Sequence, residues 1–164
     1  MAQPCQQKRI QWLKERCKGT TSIMEAGCNY GFILDAVDGE VGLDINRDNI
    51  KLARERFPKR CFECWDITTC LPYGDNDFDI VLLPDCLEHI AWDKVQPTLR
   101  EAIRVCRKKV LVTLPIEEEK ASNFKHPWRP TMAKVQEILG WYPGTAVWND
   151  GEFVYLEVLK CRKG

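Results

Sequence analysis

Apolar residues along this chain alternate between two spacings. Ile10, Leu13 and Cys17 recur at helical intervals among Lys8, Arg9, Lys14, Glu15, Arg16 and Lys18, which predicts an amphipathic N-terminal helix over residues 1–19 lying against the rest of the fold. Residues 21–26 predict a short strand, 27–31 a glycine-bounded turn, and Phe32, Ile33, Leu34, Ala36 and Val37 the buried face of a helix. The succession then repeats with a strand at 40–44 and a helix capped by Asn46, whose Ile50, Ala53 and Phe57 face inward before Pro58 stops it. A strand at 60–65, a loop rich in turn residues from Pro72 to Asp77, and a continuously apolar strand at 78–83 follow. Val95, Leu99, Ala102, Ile103 and Cys106 form a helical stripe ahead of the branched run 110–114. Met132, Val135, Ile138 and Leu139 mark a last helix, and 145–148 and 153–159 flank Asn149-Asp150-Gly151 as a hairpin.

Strands alternating with helices and closed by a hairpin predict an α/β fold: a doubly wound, mostly parallel seven-stranded sheet with a C-terminal antiparallel hairpin. Such sheets bind ligands in the crevice outside the carboxyl ends of their strands, so the chemistry is sought there. At 164 residues the chain is expected to form a single domain, residues 1–164.

Composition narrows the functional classes. With 45% hydrophobic and 29% charged residues the chain is a folded globular protein and not a disordered one. Twenty-four basic residues balance 24 acidic ones, so no overall field draws it to nucleic acid or to an anionic membrane. No apolar run approaches the roughly 18–20 residues of a membrane helix, and the polar opening segment lacks a secretory signal, which leads us to expect a cytoplasmic protein. Nine cysteines, an odd and scattered number, point to reduced thiols and not to a disulfide framework. Cys61 and Cys64 form a CxxC, but on a strand residues three apart face opposite ways and no second pair exists. They are expected to be small half-buried hydrophobes, with no metal bound.

The first strand-to-helix turn reads Glu25-Ala26-Gly27-Cys28-Asn29-Tyr30-Gly31. Gly27 and Gly31 let backbone approach a ligand, and the following helix start offers free N–H groups. A dinucleotide fingerprint beginning at Gly27 needs glycines where Asn29 and Phe32 stand, which disfavours an NAD-linked oxidoreductase. Asp44 ends the second strand, where a carboxylate accepts from both hydroxyls of a ribose; its plainer reading is a helix cap near Asn46. Asp66 ends the third strand and suits an adenine amine, with Ile45 and Ile67 as apolar covers for the base; alone, it reads as a loop cap. Together the acceptors stand in the order that a nucleoside requires.

Those motifs, with Val-Gly-Leu-Asp-Ile at 41–45, Asp66-Ile67 and the segment Phe78-Asp79-Ile80-Val81-Leu82-Leu83-Pro84-Asp85-Cys86-Leu87-Glu88-His89-Ile90, resemble the class I S-adenosylmethionine-dependent methyltransferases over about residues 20–115. The Leu-Glu-His-Ile segment is similar to the branch that holds many small-molecule methyltransferases, while Asn29 stands where the family has a middle glycine. The resemblance implies S-adenosylmethionine as cofactor. Glu25 and the backbone around Gly27, Cys28, Asn29 and Gly31 would hold its methionine amino group, Asp44 the ribose, Asp66 with Ile67 the adenine, and Leu83 and Asp85 would border the methyl and sulfonium.

Asp85, Glu88 and His89 cluster after the fourth strand, beside the expected methyl. Histidine titrates near neutrality and suits a general base, although His89 could equally hydrogen-bond a loop carbonyl. His126, Trp128 and Arg129 lie in a Pro-bounded loop after the fifth strand and could contact an acceptor; alternatively Trp128 covers the core and Arg129 stays solvated. Only the N-terminal helix and the loop at 116–131 could cover the site, and a homo-oligomer could supply a further wall. Leu83-Pro84-Asp85-Cys86 replaces the Asn-Pro-Pro-aromatic signature of methyltransferases acting on bases, and Thr113-Leu114-Pro115 offers no lysine of the ribose-methylating type. Nucleic acid is disfavoured as a partner. The expected activity is methyl transfer to an oxygen or nitrogen of a small-molecule or glycan-type acceptor; the alternative is a methyltransferase-like module acting as a non-catalytic partner in a complex.

Overall fold

The computed structural model describes residues 4–20, 22–116 and 126–160. In chain order these form α1 (Pro4–Cys17), β1 (Ile23–Ala26), α2 (Phe32–Ala36), β2 (Val41–Asp44), α3 (Arg47–Arg56), β3 (Cys61–Cys64) and β4 (Phe78–Pro84). A 3-10 turn at Leu87–His89 leads into α4 (Trp92–Val105), β5 (Cys106–Pro115), α5 (Met132–Trp141), β6 (Ala146–Asn149) and β7 (Phe153–Leu159). The expected α/β fold is present: seven strands in the order β3-β2-β1-β4-β5-β7-β6, parallel from β3 to β5. β7 lies antiparallel to both β5 and β6, so the hairpin enters the sheet with its second strand innermost.

Strand periodicity sorts the core onto two faces. Ile23, Ile80, Leu82 and Leu111 pack with Leu13 and Cys17 of α1 and with Val37. Their strand neighbours Met24, Val81, Leu83, Val110 and Val112 point the other way, into the larger cluster built with Val95, Leu99 and Ala102 of α4 and Val135 and Ile138 of α5. A third cluster of Cys28, Leu34, Ile50, Ala53 and Phe62 seats α2 and α3 against the β2–β3 end. Asn46 caps α3 as its residue type predicts, accepting from the N–H groups of Asp48 and Asn49.

Three readings of the sequence require correction. Phe32, expected on the buried face of α2, is 54% exposed, because it opens the helix beside the crevice and packs edge-on against Phe57. β5 begins at Cys106, four residues before its branched run, because the polar trio that follows finds ion-pair partners: Arg107 and Lys108 meet Asp79, and Lys109 meets Glu157. Cys61 and Cys64 are exposed, not half-buried, because β3 is an edge strand. Among the described residues no helix is long and apolar enough to cross a membrane.

Gly27, just after β1, leaves no room for a side chain. Its φ is +80°, and a Cβ there would lie 2.7 Å from Cys86 Sγ and 3.0 Å from Cys86 Cβ. Gly27→Ala should therefore cost about 2–5 kcal/mol from left-handed strain and overpacking combined. Denaturant unfolding checks this, and adding Cys86→Ala should recover the overpacking part only.

Candidate active site

The sheet reverses direction of growth at β1, which lies between β2 and β4. The connections leaving β1 and β4 therefore part to opposite sides and leave a crevice at their carboxyl ends. The glycine turn lines this crevice. Gly27 and Cys28 both donate their N–H groups to Leu43 O at 2.8 Å, pinning the turn onto β2. Asn29 has φ +48°, a left-handed conformation that asparagine tolerates where a glycine would otherwise stand. Its N–H donates to Asp44 Oδ2 at 2.8 Å, and Asp44 Oδ1 accepts from Asn46 N at 2.8 Å. Asp44 thus ties the turn to the residue that precedes α3; the helix cap itself is Asn46, so the plainer reading of Asp44 as the cap gives way to its place in the crevice. Asp66 Oδ1 accepts from both the N–H and the hydroxyl of Thr68, at 2.9 and 2.8 Å, which leaves Oδ2 as its available oxygen.

Two adjoining lobes share Gly27, Asn29, Asp85 and His89. The first, a cavity of about 510 Å³, is walled by Asp44, Ile45, Trp65, Asp66, Ile67 and Thr68 on one side and by Cys86, Ile90 and Lys94 on the other. Ile45 is 67% exposed at its mouth, an apolar side chain with no protein neighbour to cover it fully. The second, of about 720 Å³, is lined by Arg9, Glu25, Cys28, Tyr30 and Phe32. Gly31 shapes the turn behind them with φ +79°, pressed against the Phe62 ring. Burial pushes the Cys28 and Cys86 thiols up, so both remain neutral and act as small hydrophobes.

Glu25 stands out electrostatically. It sits on β1 and is 1% exposed, and its Oε2 has no hydrogen-bond partner among the described residues. Burial pushes its carboxyl up to about 8, opposed by an N–H from Leu34 and by the charge of Arg9, and reinforced by the charge of Asp44. A buried carboxyl with one unsatisfied oxygen beside an open lobe is a receptor for a cationic donor.

After β4, Asp85 has φ +47°, accepts from Thr113 Oγ1 at 2.7 Å and forms an ion pair with Arg9 of α1. Its engagement by a guanidinium disfavours it as a proton acceptor and leaves that role to His89, the base that the sequence puts first. His89 lines both lobes, and the ring of His126 meets it edge-on at 4.8 Å between centroids. Four expected contacts are not made through side chains in these lobes. Leu83 is fully buried in the core and Glu88 is 1% exposed. Trp128 is buried, donating Nε1–H to Leu87 O at 3.0 Å and meeting Trp92 edge-on, while Arg129 is exposed away from both lobes. For Trp128 and Arg129 the plainer readings hold. Part of the loop expected to cover the site, residues 117–125, lies outside the described residues.

Sequence reasoning passed over Arg9, Trp65, Tyr30, Thr68 and Lys94. Trp65 and Thr68 flank Asp66 and could have been found by extending that strand end, whereas Arg9 approaches from a distant helix.

The methyltransferase domain family is matched over residues 24–114, more than half of the chain. An uncharacterised protein of Methanocaldococcus jannaschii is 27% identical over 124 residues, which are 72% of this chain and 53% of that protein. The chain thus spans about half the length of this curated relative. Among solved structures, the PH0226 protein from Pyrococcus horikoshii superposes with a TM-score of 0.74 at 20% identity, covering 96% of this chain and 92% of that one. Magnesium protoporphyrin IX methyltransferase from Synechocystis, solved with S-adenosylmethionine bound, superposes with a TM-score of 0.69 at 16% identity, covering 94% and 77%.

The raised Glu25 carboxyl makes stability pH-dependent. Between the ordinary glutamate value near 4.3 and about 8 the folded protein holds a proton that the unfolded chain has released, so stability falls as pH rises through that window. In ligand-free protein, Glu25→Gln should unfold later than wild type at pH 8, by a margin that shrinks toward pH 5 at up to about 1.4 kcal/mol per pH unit. Thermal unfolding across this range checks both the sign and the window.

Proposed function

We propose, from the premise that this chain belongs to the methyltransferase domain family, that it moves the methyl group of S-adenosylmethionine to an oxygen or nitrogen of a small-molecule or glycan-type acceptor. The observation that carries this reading is the unsatisfied, fully buried Glu25 oxygen at the head of a crevice whose strand ends carry Asp44 and Asp66. The three carboxyl groups match the three donor groups of an adenosyl amino acid: an ammonium, a pair of ribose hydroxyls and an adenine amine.

When bound, S-adenosylmethionine supplies an electrophilic methyl carbon on a sulfonium leaving group. Glu25 and the turn backbone at Gly27 would hold the ammonium. Asp44, already fixed by Asn29 and Asn46, would receive the ribose hydroxyls without reorganising. Asp66 Oδ2 would accept from adenine between Ile45, Trp65 and Ile67, which accounts for the exposure of Ile45. Protein groups then need only align an acceptor lone pair with the methyl and, for a hydroxyl acceptor, take its proton.

His89 is the residue proposed to take that proton, because it lines the junction of the lobes whereas Asp85 is engaged by Arg9 and Thr113. His126, behind it, is the reserve. The second lobe continues past Glu25 to Tyr30 and Phe32, 40% and 54% exposed, an aromatic rim open to an acceptor. Lobes of this size match the cavities that hold small ligands, and the balanced charge of the chain favours such an acceptor over nucleic acid.

Two variants separate binding from chemistry. Asp44→Ala should weaken S-adenosylhomocysteine binding about tenfold or more in calorimetry, since losing two hydrogen bonds costs roughly 1–3 kcal/mol. His89→Ala should keep that affinity and lose roughly 100- to 10,000-fold in turnover on a hydroxyl acceptor. Unchanged affinity in the first variant, or full turnover on a hydroxyl in the second, contradicts the assigned role.

A further inference from the structure

We propose that Arg9 binds the α-carboxylate of the cofactor's amino-acid end, which makes α1 part of the cofactor site. The inference rests on the reading that S-adenosylmethionine occupies this crevice, and it assigns the group that recognises the half of the zwitterion Glu25 cannot hold.

Residues 9, 13 and 17 are four apart and share one face of α1. Leu13 and Cys17 on that face are buried against Ile23, Ile80 and Leu82. A purely structural helix would place a third apolar side chain at position 9, yet the residue there is an arginine that is only 9% exposed. Burying a guanidinium is costly unless anions compensate it. Arg9 is ion-paired with Asp85, its guanidinium carbon lies 5.4 Å from the centre of the Phe153 ring, and its charge acts on Glu25. It lines the same lobe as Glu25 and the glycine turn. Acid and base thus occupy one lobe, the arrangement needed by an α-amino acid whose ammonium and carboxylate stand one carbon apart.

A guanidinium has five N–H donors in a planar fork and can serve two carboxylates at once. Asp85 is held by Thr113 through both its side chain and its own N–H, at 2.7 and 3.0 Å. It is therefore a positioning residue that aims Arg9. With cofactor in place the charges balance: Glu25, Asp85 and the α-carboxylate against Arg9, the ammonium and the sulfonium.

The test is calorimetric and needs no acceptor. The probes are S-adenosylhomocysteine, its decarboxylated analogue and 5′-methylthioadenosine, which lacks the whole amino-acid end. Arg9→Gln should weaken S-adenosylhomocysteine binding by about 10- to 100-fold, the range for losing a charge-assisted pair. The other two probes should change less than about twofold, within the scatter expected of a substitution without direct contact. Arg9→Lys should recover part of the loss. Arg9→Leu restores an apolar stripe on α1, should fold at least as stably as wild type, and should give the ligand pattern of Arg9→Gln. An equal loss for all three probes would show that Arg9 only seats the helix, and an unchanged S-adenosylhomocysteine affinity would likewise overturn the proposal. Wild-type protein that binds none of the probes overturns the cofactor reading itself, whereas tight wild-type binding with a flat response to Arg9 variants overturns this inference alone.

Discussion

A parallel sheet whose strand order turns back at its first strand must open at one point, and the candidate site depends on that opening. β1 has β2 on one side and β4 on the other, and the chain leaves the two central strands in opposite directions. The gap is kept narrow by the contact between Gly27 and Cys86, which allows no Cβ, and is held in register by two N–H donors on Leu43 O. With the backbone fixed this closely, the residues at three successive strand ends converge on one volume. Glu25, Asp44 and Asp66 are far apart in the chain yet border adjoining lobes.

Within this frame the carboxyl groups differ by environment. Asp44 receives two backbone N–H groups, Asp66 receives a threonine backbone and hydroxyl pair, and Glu25 is enclosed with one oxygen unsatisfied. Two of them are therefore preorganised acceptors, and the third becomes a strong acceptor only when a cation arrives. Asp85 differs again, because a buried arginine has already engaged it. The division of labour follows from these surroundings and not from residue type, since all four side chains are carboxylic acids.

Much of this was legible in the sequence because the signals were local. Helical spacing marked the helices, short apolar and branched runs marked the central strands, and acids at or just after the strand ends marked the crevice. Asn29 in a left-handed turn was also foreseeable from residue type. What was not legible depends on distant partners. Arg9 reads as one more charge on a polar helix until its four-residue spacing to Leu13 and Cys17 is seen against the sheet. Trp128 reads equally as a recognition residue or as a cover of the core until Leu87 O is found to accept its indole N–H. Leu83 lies beside the crevice in sequence, but strand alternation turns its side chain into the core. Cys61 and Cys64 read as half-buried because the edge position of their strand is set by the sheet order and not by the local sequence.

In the proposed function Glu25, a buried carboxyl raised to about 8, gives up its proton to receive the cofactor's ammonium. The most direct measurement is the heat of S-adenosylhomocysteine binding at pH 7 in buffers of different ionisation enthalpy, which counts the protons exchanged on binding. With the carboxyl of the ligand-free protein at about 8, binding should release about half to one proton per ligand. That release should disappear above pH 9 and in Glu25→Gln. A binding heat that does not depend on the buffer at pH 7 would contradict it.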